Sequence, residues 1–158
     1  MDNFVQIKRN NIVKIGLQTE DGKDTGNYWE FDVEDIEWKL RCNELIEQNK
    51  KNMQYFENEI KLIEKREDHK GKKALSKNEE DIAKAWNKFY HEQIKVYNMF
   101  LGENGVEKYL NGRKPYITMF LDINEAIESI LPIIEEKSKA IPDIIKQKYG
   151  KKADDVIE

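Results

Sequence analysis

The stretch that decides the fold is SKNEEDIAKAWNKFYHEQIKVYNMFLG, residues 76–102. Ser76 and Glu79 have the spacing of a capping box, a pair of side chains that satisfies the free backbone amides at the start of a helix. Gly102 stands where a glycine commonly ends a helix. Between them one residue in every three or four belongs to a single stripe: Ile82, Trp86, Phe89, Gln93, Val96 and Phe100. This spacing predicts a helix over residues 77–101.

A second stripe of the same kind precedes this helix. Asp32 is a candidate N-cap, and acidic residues follow it at the positive end of the helix dipole. The stripe then continues in steps of three and four, with Asn49 in one position: Trp38, Cys42, Leu45, Met53, Phe56, Ile60 and Ile63. The pattern predicts a long helix over 33–66. A charged loop separates it from the helix at 77–101, so the two should form an antiparallel hairpin.

The residues on either side complete the predicted fold. Residues 4–31 alternate loosely between apolar and polar side chains around glycine turn signals, which indicates a β-hairpin. Residues 116–141 form the most apolar segment, a third helix that Pro132 should kink without ending. Its apolar face is predicted as Ile117, Phe120, Ile123, Ile127, Ile130 and Ile134, with Met119 and Leu131 off that face.

These elements predict a mainly α protein of the α+β class, with a β-hairpin, a long helical hairpin and a third, kinked helix. Residues 1–142 are expected to form one domain. Residues 143–158 are expected to be a C-terminal extension with a short helix and a frayed tail.

Composition limits the classes of function. Charged residues make up 37% of the 158 residues, and the net charge of −4 provides no field that would attract nucleic acid or anionic lipid. No apolar run approaches the roughly 20 residues that span a bilayer. We therefore expect a cytoplasmic protein with neither a nucleic-acid nor a membrane partner.

No group of residues has the spacing of a catalytic or metal site. His69 and His91 are the only histidines, and Cys42 is the only cysteine. Three isolated residues of these types make a poor ligand set for a metal. The segment Asp21–Asp24 lacks the upstream glycine and the Ser/Thr of a phosphate-binding loop. We expect a protein that binds other proteins, with no cofactor, no metal and no catalytic residue.

The stretch Tyr97–Lys114, followed by Met119–Ile127, resembles the tail assembly chaperones of tailed bacteriophages and prophages. Within it, Phe100-Leu-Gly-Glu-Asn-Gly105 is similar to the family's glycine turn, with an inserted Leu and Asn, and Gly112 matches the second glycine. The resemblance covers about residues 10–140, and motif-like identity is confined to about 97–130. It implies a non-enzymatic role in the bacterial host cell: coating the helical tape measure protein and delivering it for polymerisation of the tail tube.

The alternative is a structural component of a phage particle or of another protein assembly. The family often makes a longer product by ribosomal frameshifting, and an A-rich run encoding Lys151-Lys152 would permit this. For the chaperone we hypothesise a groove that holds an amphipathic helix of the tape measure protein or another tail protein, lined by Tyr97, Phe100, Leu101, Tyr116 and Phe120. These residues could instead be core, covered by the hairpin strands or by residues 143–158, or could mediate self-association.

Overall fold

The fold comes from a computed structural model that describes residues 2–147. The predicted frayed tail and the Lys151-Lys152 pair lie outside these residues. Two strands and five helices follow one another in the order β1 (Ile12–Gln18), β2 (Asp24–Asp32), α1 (Trp38–Glu64), α2 (Lys77–Leu101), α3 (Gly105–Leu110), α4 (Met119–Lys139) and α5 (Ile141–Ile145). The protein is therefore mainly α with an antiparallel β-hairpin before the helices, as the sequence predicted.

The chain divides into two compact units, which are described separately. Unit 1 contains the β-hairpin up to Trp38 and the described residues from Asn111 onward. Unit 2 contains residues Lys39–Leu110, which include most of α1 and all of α2 and α3.

In unit 1, β1 and β2 pair antiparallel, with Val13 opposite Phe31 and Ile15 opposite Trp29. These alternate side chains face inward, and Trp29 is almost completely buried. The hairpin begins later than the predicted residue 4. Residues 4–10 have no regular secondary structure, the chain bends at Asn11, and β1 starts at Ile12. Gly26, one of the glycines that serve as turn signals in the sequence, belongs to β2 and has a positive φ of 78°.

The first long helix begins at Trp38, not at residue 33 as predicted. The carboxylate of Asp32 accepts the backbone N–H of Glu34, and that of Asp35 accepts the backbone N–H of Glu37. Each aspartate thus closes a turn with the residue two positions on, a bonding pattern that competes with helix formation. The acidic run that suggested a helix start therefore forms two consecutive turns.

Helix α4 extends through Pro132 without a break, as expected, although it begins later than residue 116. One side of it is buried and consists of Met119, Ile123, Ile127, Ile130 and Ile134. Two predicted positions were wrong: Met119 is on the buried side, whereas Ile117 lies before the helix and is exposed. Helical geometry explains the first, since Met119 lies four residues before Ile123.

Unit 2 is the predicted antiparallel helical hairpin. Phe56 and Ile63 of α1 pack against Ala85 and Phe89 of α2 in one buried cluster. The rings of Phe56 and Phe89 stack with centroids 4.8 Å apart. The capping box also forms as predicted at the start of α2, where the Ser76 hydroxyl accepts the backbone N–H of Glu79 at 3.1 Å.

Candidate functional site

The glycine turn between α2 and α3 requires its glycines for different reasons. Gly102 has φ 94° and ψ 176°, a conformation that is essentially restricted to glycine. A Cβ on Gly105 would lie far inside van der Waals contact with the Cβ of Leu101. The sequence Leu-Gly-Glu-Asn-Gly therefore holds α3 close to the end of α2.

Asn98 holds this turn together. Its backbone carbonyl accepts the N–H of Gly102, and its side-chain oxygen accepts the N–H of Val106 at 2.8 Å. Its amide group donates to the carboxylate of Glu107. One side chain on the last turn of α2 thus caps the start of α3, a role that the sequence analysis did not assign.

Three of the predicted partner-binding residues lie in unit 2, and all three are buried. Tyr97 is 1% exposed, and Phe100 and Leu101, which follow it at the end of α2, are also buried. The Tyr97 hydroxyl accepts a hydrogen bond from the amide of Asn49 at 3.3 Å. Side chains in this state are not presented to solvent, so a partner would reach them only if the surrounding structure moved.

The other two predicted residues, Tyr116 and Phe120, lie in unit 1 and are half-buried. The Tyr116 hydroxyl donates to Asp122 at 2.8 Å, and the guanidinium of Arg113 lies 3.8 Å from the centre of the Tyr116 ring. These contacts hold the start of α4 in place. That all five predicted residues line one groove stays a prediction.

A polar seam crosses the interior of the α1–α2 hairpin. The buried amide of Gln93 accepts a hydrogen bond from Asn52 and donates one to Asn49, each at 2.8 Å. Asn49 in turn donates to Tyr97. The sequence placed Asn49 and Gln93 on the apolar stripes, but only the structure shows that they meet.

The two outer sides of the hairpin differ. One side carries a shallow pocket whose polar lining includes Asn52, Glu59, Lys88 and Glu92. Tyr55 lies at its rim, where its ring centre is 4.9 Å from the Lys88 ammonium. This side is mixed in charge and mostly polar.

The opposite side carries three exposed apolar side chains. Ile46 and Met53 are two helical turns apart on α1, so they share one face. On α2, Trp86 lies on the flank away from Lys88. Its ring packs edge-on against that of Phe56, with the ring centroids 4.7 Å apart. We define the apolar face of the hairpin as these three residues together with half-buried Ile60 and Tyr90.

The apolar face remains accessible after the hairpin has packed. Ile46 is 53% exposed, Met53 44% and Trp86 37%. Burial raises the pKa of the Tyr90 hydroxyl above its ordinary value. Exposed apolar side chains on a pair of packed helices are suited to binding another helix.

Within residues 2–147, no group of three or more His, Cys, Asp and Glu side chains is arranged to hold a metal ion. Cys42 is half-buried, and burial raises the pKa of its thiol, the opposite direction to the shift found in reactive cysteines. No helix in this part of the chain is long and apolar enough to cross a membrane.

Comparisons with protein-family models, with curated proteins and with solved structures found no match to this chain.

Proposed function

We propose that this protein is a non-enzymatic tail assembly chaperone of a bacteriophage or prophage, and that it binds the tape measure protein. The observation that carries the proposal is the apolar face of the hairpin, where Ile46, Met53 and Trp86 remain exposed on two packed helices. A tape measure protein is a long helical chain, so its amphipathic segments offer the complementary surface.

The binding mode is a helix held along the hairpin. A partner helix places apolar residues at positions i, i+3, i+4 and i+7 on one side, and these contact the apolar face. Ile46 and Met53 contact the partner from α1 at points two turns apart, while Trp86 contacts it from α2. Reversible binding of this kind suits a chaperone, which must release its client when the tail tube polymerises.

The order of elements supports the same proposal. The family that the chain resembles has a β-hairpin and a long charged helix before the glycine turn, and a short helix with a second glycine after it. The same order occurs here, with the Phe100–Gly105 turn and Gly112 in the two glycine positions. Gly112 has a positive φ of 84°. It therefore has a conformational role comparable to that of Gly102.

Co-expression with the tape measure protein from the same genome tests the proposal. We expect the tape measure protein to be soluble and to co-purify with this chain, and to aggregate when expressed alone. Failure of both effects would contradict the proposal.

Mass spectrometry of purified particles separates the chaperone from a structural component. A chaperone is absent or scarce in finished particles. A fixed copy number per particle would instead favour the alternative of a permanent structural protein.

A further inference from the structure

The chain contains two Asn-Gly pairs, Asn104-Gly105 and Asn111-Gly112, which flank the short helix α3. In such a pair the backbone nitrogen of the glycine can attack the side-chain carbonyl carbon, Cγ, of the asparagine. Glycine favours this attack because it has no Cβ to shield its backbone nitrogen. The two pairs are the same dipeptide, so the structure around each of them decides how readily it reacts.

The attack leads to deamidation, which needs only water as a co-reactant. A bond forms between the glycine nitrogen and Cγ, the bond from Cγ to the side-chain nitrogen breaks, and ammonia leaves with the proton of the glycine nitrogen. The product is a cyclic succinimide. Water then opens the ring at either carbonyl and gives aspartate or isoaspartate, each of which carries one more negative charge than asparagine.

Helix α3 fixes the peptide between Asn104 and Gly105. The backbone N–H of Gly105 donates to the carbonyl of Gly102 at 3.0 Å, and the carbonyl of Asn104 accepts the N–H of Lys108 at 2.8 Å. Gly105 is also buried. The glycine nitrogen reaches Cγ only when this peptide rotates, and the rotation breaks both hydrogen bonds. The first pair is therefore protected.

The second pair is in a different environment. Asn111 and Gly112 come directly after the last residue of α3, and both are exposed. Their φ angles are 48° and 84°, in a turn that leads into residues 113–116, which have no regular secondary structure. The side-chain oxygen of Asn111 accepts a hydrogen bond from the amide of Asn27 at 3.5 Å, at the upper limit of length for such a bond. A contact this long and exposed restrains the side chain only weakly, and water reaches the pair.

The position of the second pair gives its modification a consequence. The chain passes from unit 2 to unit 1 between Leu110 and Asn111. Isoaspartate adds one carbon atom to the backbone at this connection. The new carboxylate also changes the formal net charge from −4 to −5.

We propose that Asn111 is a site of spontaneous deamidation, through a succinimide formed with the nitrogen of Gly112, whereas α3 protects Asn104 of the same chain. This modification is independent of the partner binding proposed above. Because it is irreversible and proceeds without an enzyme, the modified fraction of the protein increases with the time since synthesis.

Peptide mapping of the aged full chain tests the proposal. The chain is kept at physiological temperature and mildly alkaline pH, which promotes loss of the proton from the glycine nitrogen, and samples are digested briefly with trypsin. Cleavage after lysine and arginine places Asn104 in the peptide 96–108 and Asn111 in the peptide 109–113. Two backbone hydrogen bonds must open first at Asn104, so we expect deamidation to be at least about 10-fold faster at Asn111. Equal rates at the two sites, or an unchanged Asn111, would overturn the proposal.

The same mapping in concentrated urea shows whether the fold causes the difference. Unfolding removes the hydrogen bonds of Gly105 and Lys108, so the two pairs are expected to deamidate at similar rates. If Asn104 still reacts about 10-fold more slowly than Asn111 in urea, its protection does not come from α3 and the proposal is wrong.

Anion-exchange chromatography of intact variants provides a second measurement. The aged wild type is expected to develop an acidic species that elutes with Asn111→Asp. Asn111→Gln is the matched variant, since it keeps the amide group but its longer side chain forms a ring far more slowly. The same acidic species in aged Asn111→Gln would place the reaction at another residue and contradict the proposal.

Discussion

The side-chain amide of Asn52 donates a hydrogen bond of 2.8 Å to the side-chain carbonyl of Gln93, joining α1 to α2 inside the helical hairpin. The same Gln93 donates to Asn49, so both polar ends of this buried side chain are satisfied. A satisfied polar group in an otherwise apolar interface favours one register of two helices over its neighbours. The polar seam therefore fixes which turns of α1 and α2 face each other.

The first prediction concerns this seam. Gln93→Ala removes a buried side chain and leaves Asn49 and Asn52 without their shared partner, so it should lower the free energy of unfolding by about 1–3 kcal/mol. Urea denaturation measures this change. Gln54→Ala, on the exposed surface of α1, is the control and should change stability by less than about 0.5 kcal/mol. Equal effects of the two variants would mean that the seam does not stabilise the hairpin.

The second prediction concerns the turn after α2. In Gly105→Ala the new methyl group clashes with the Cβ of Leu101, and two Cβ atoms can separate only if the backbone shifts. We expect a loss of about 1–3 kcal/mol in the free energy of unfolding, measured by thermal or urea denaturation. Gly71→Ala is the control, because a Cβ there meets nothing within 4 Å and φ is not positive. A Gly105→Ala protein as stable as the control would show that the close approach of α2 and α3 is not maintained.

The third prediction concerns pH and the loop before α2. The backbone N–H of Asn78 donates to the carboxylate of Asp68, and this hydrogen bond, with one from the Ser76 hydroxyl, lowers the pKa of Asp68 below its usual value of 3.8. A group whose pKa is lower in the folded protein contributes stability above its unfolded pKa, and the contribution is lost as pH falls through the folded pKa. Asp68→Asn should therefore lose less stability than the wild type below about pH 4.

Urea denaturation at neutral pH and at about pH 3 measures this difference. Asp21→Asn, in the exposed turn between β1 and β2, is the control and should retain the wild-type dependence. If Asp68→Asn loses as much stability on acidification as the wild type, the carboxylate does not hold the loop to the start of α2.

The helical hairpin was predictable because its signals are local. The capping box at Ser76 and the steps of three and four up to Phe100 gave the bounds of α2 as 77–101, which the structure confirms. The start of α1 was less predictable, because an aspartate can cap a helix or close a turn with nearly the same local bonding. Asp32 does the second, and nothing in the sequence distinguishes the two.

The surface available to a partner was harder to predict than the helices. Spacing identifies residues that share a face, but it does not show how much of that face neighbouring elements bury. Phe100 and Met53 both belong to apolar stripes, yet Phe100 is buried and Met53 is 44% exposed. The contacts of Asn98 also depend on the turn that follows it, so its role could not be inferred from helical periodicity.

Binding of the tape measure protein to hairpin variants tests the central claim most directly. Met53→Ser removes an exposed side chain from the apolar face. Leu62→Ser, nine residues later and therefore on the opposite side of α1, removes an exposed side chain outside it. Both should retain the wild-type melting temperature, which circular dichroism checks.

Titration calorimetry with a helical segment of the tape measure protein then gives the dissociation constants. We predict that Met53→Ser weakens binding about 10-fold, the equivalent of losing one buried apolar side chain, and that Leu62→Ser binds as the wild type does. Equal affinities of the two variants, or no binding by the wild-type chain, would contradict the proposal that this hairpin face holds the tape measure protein.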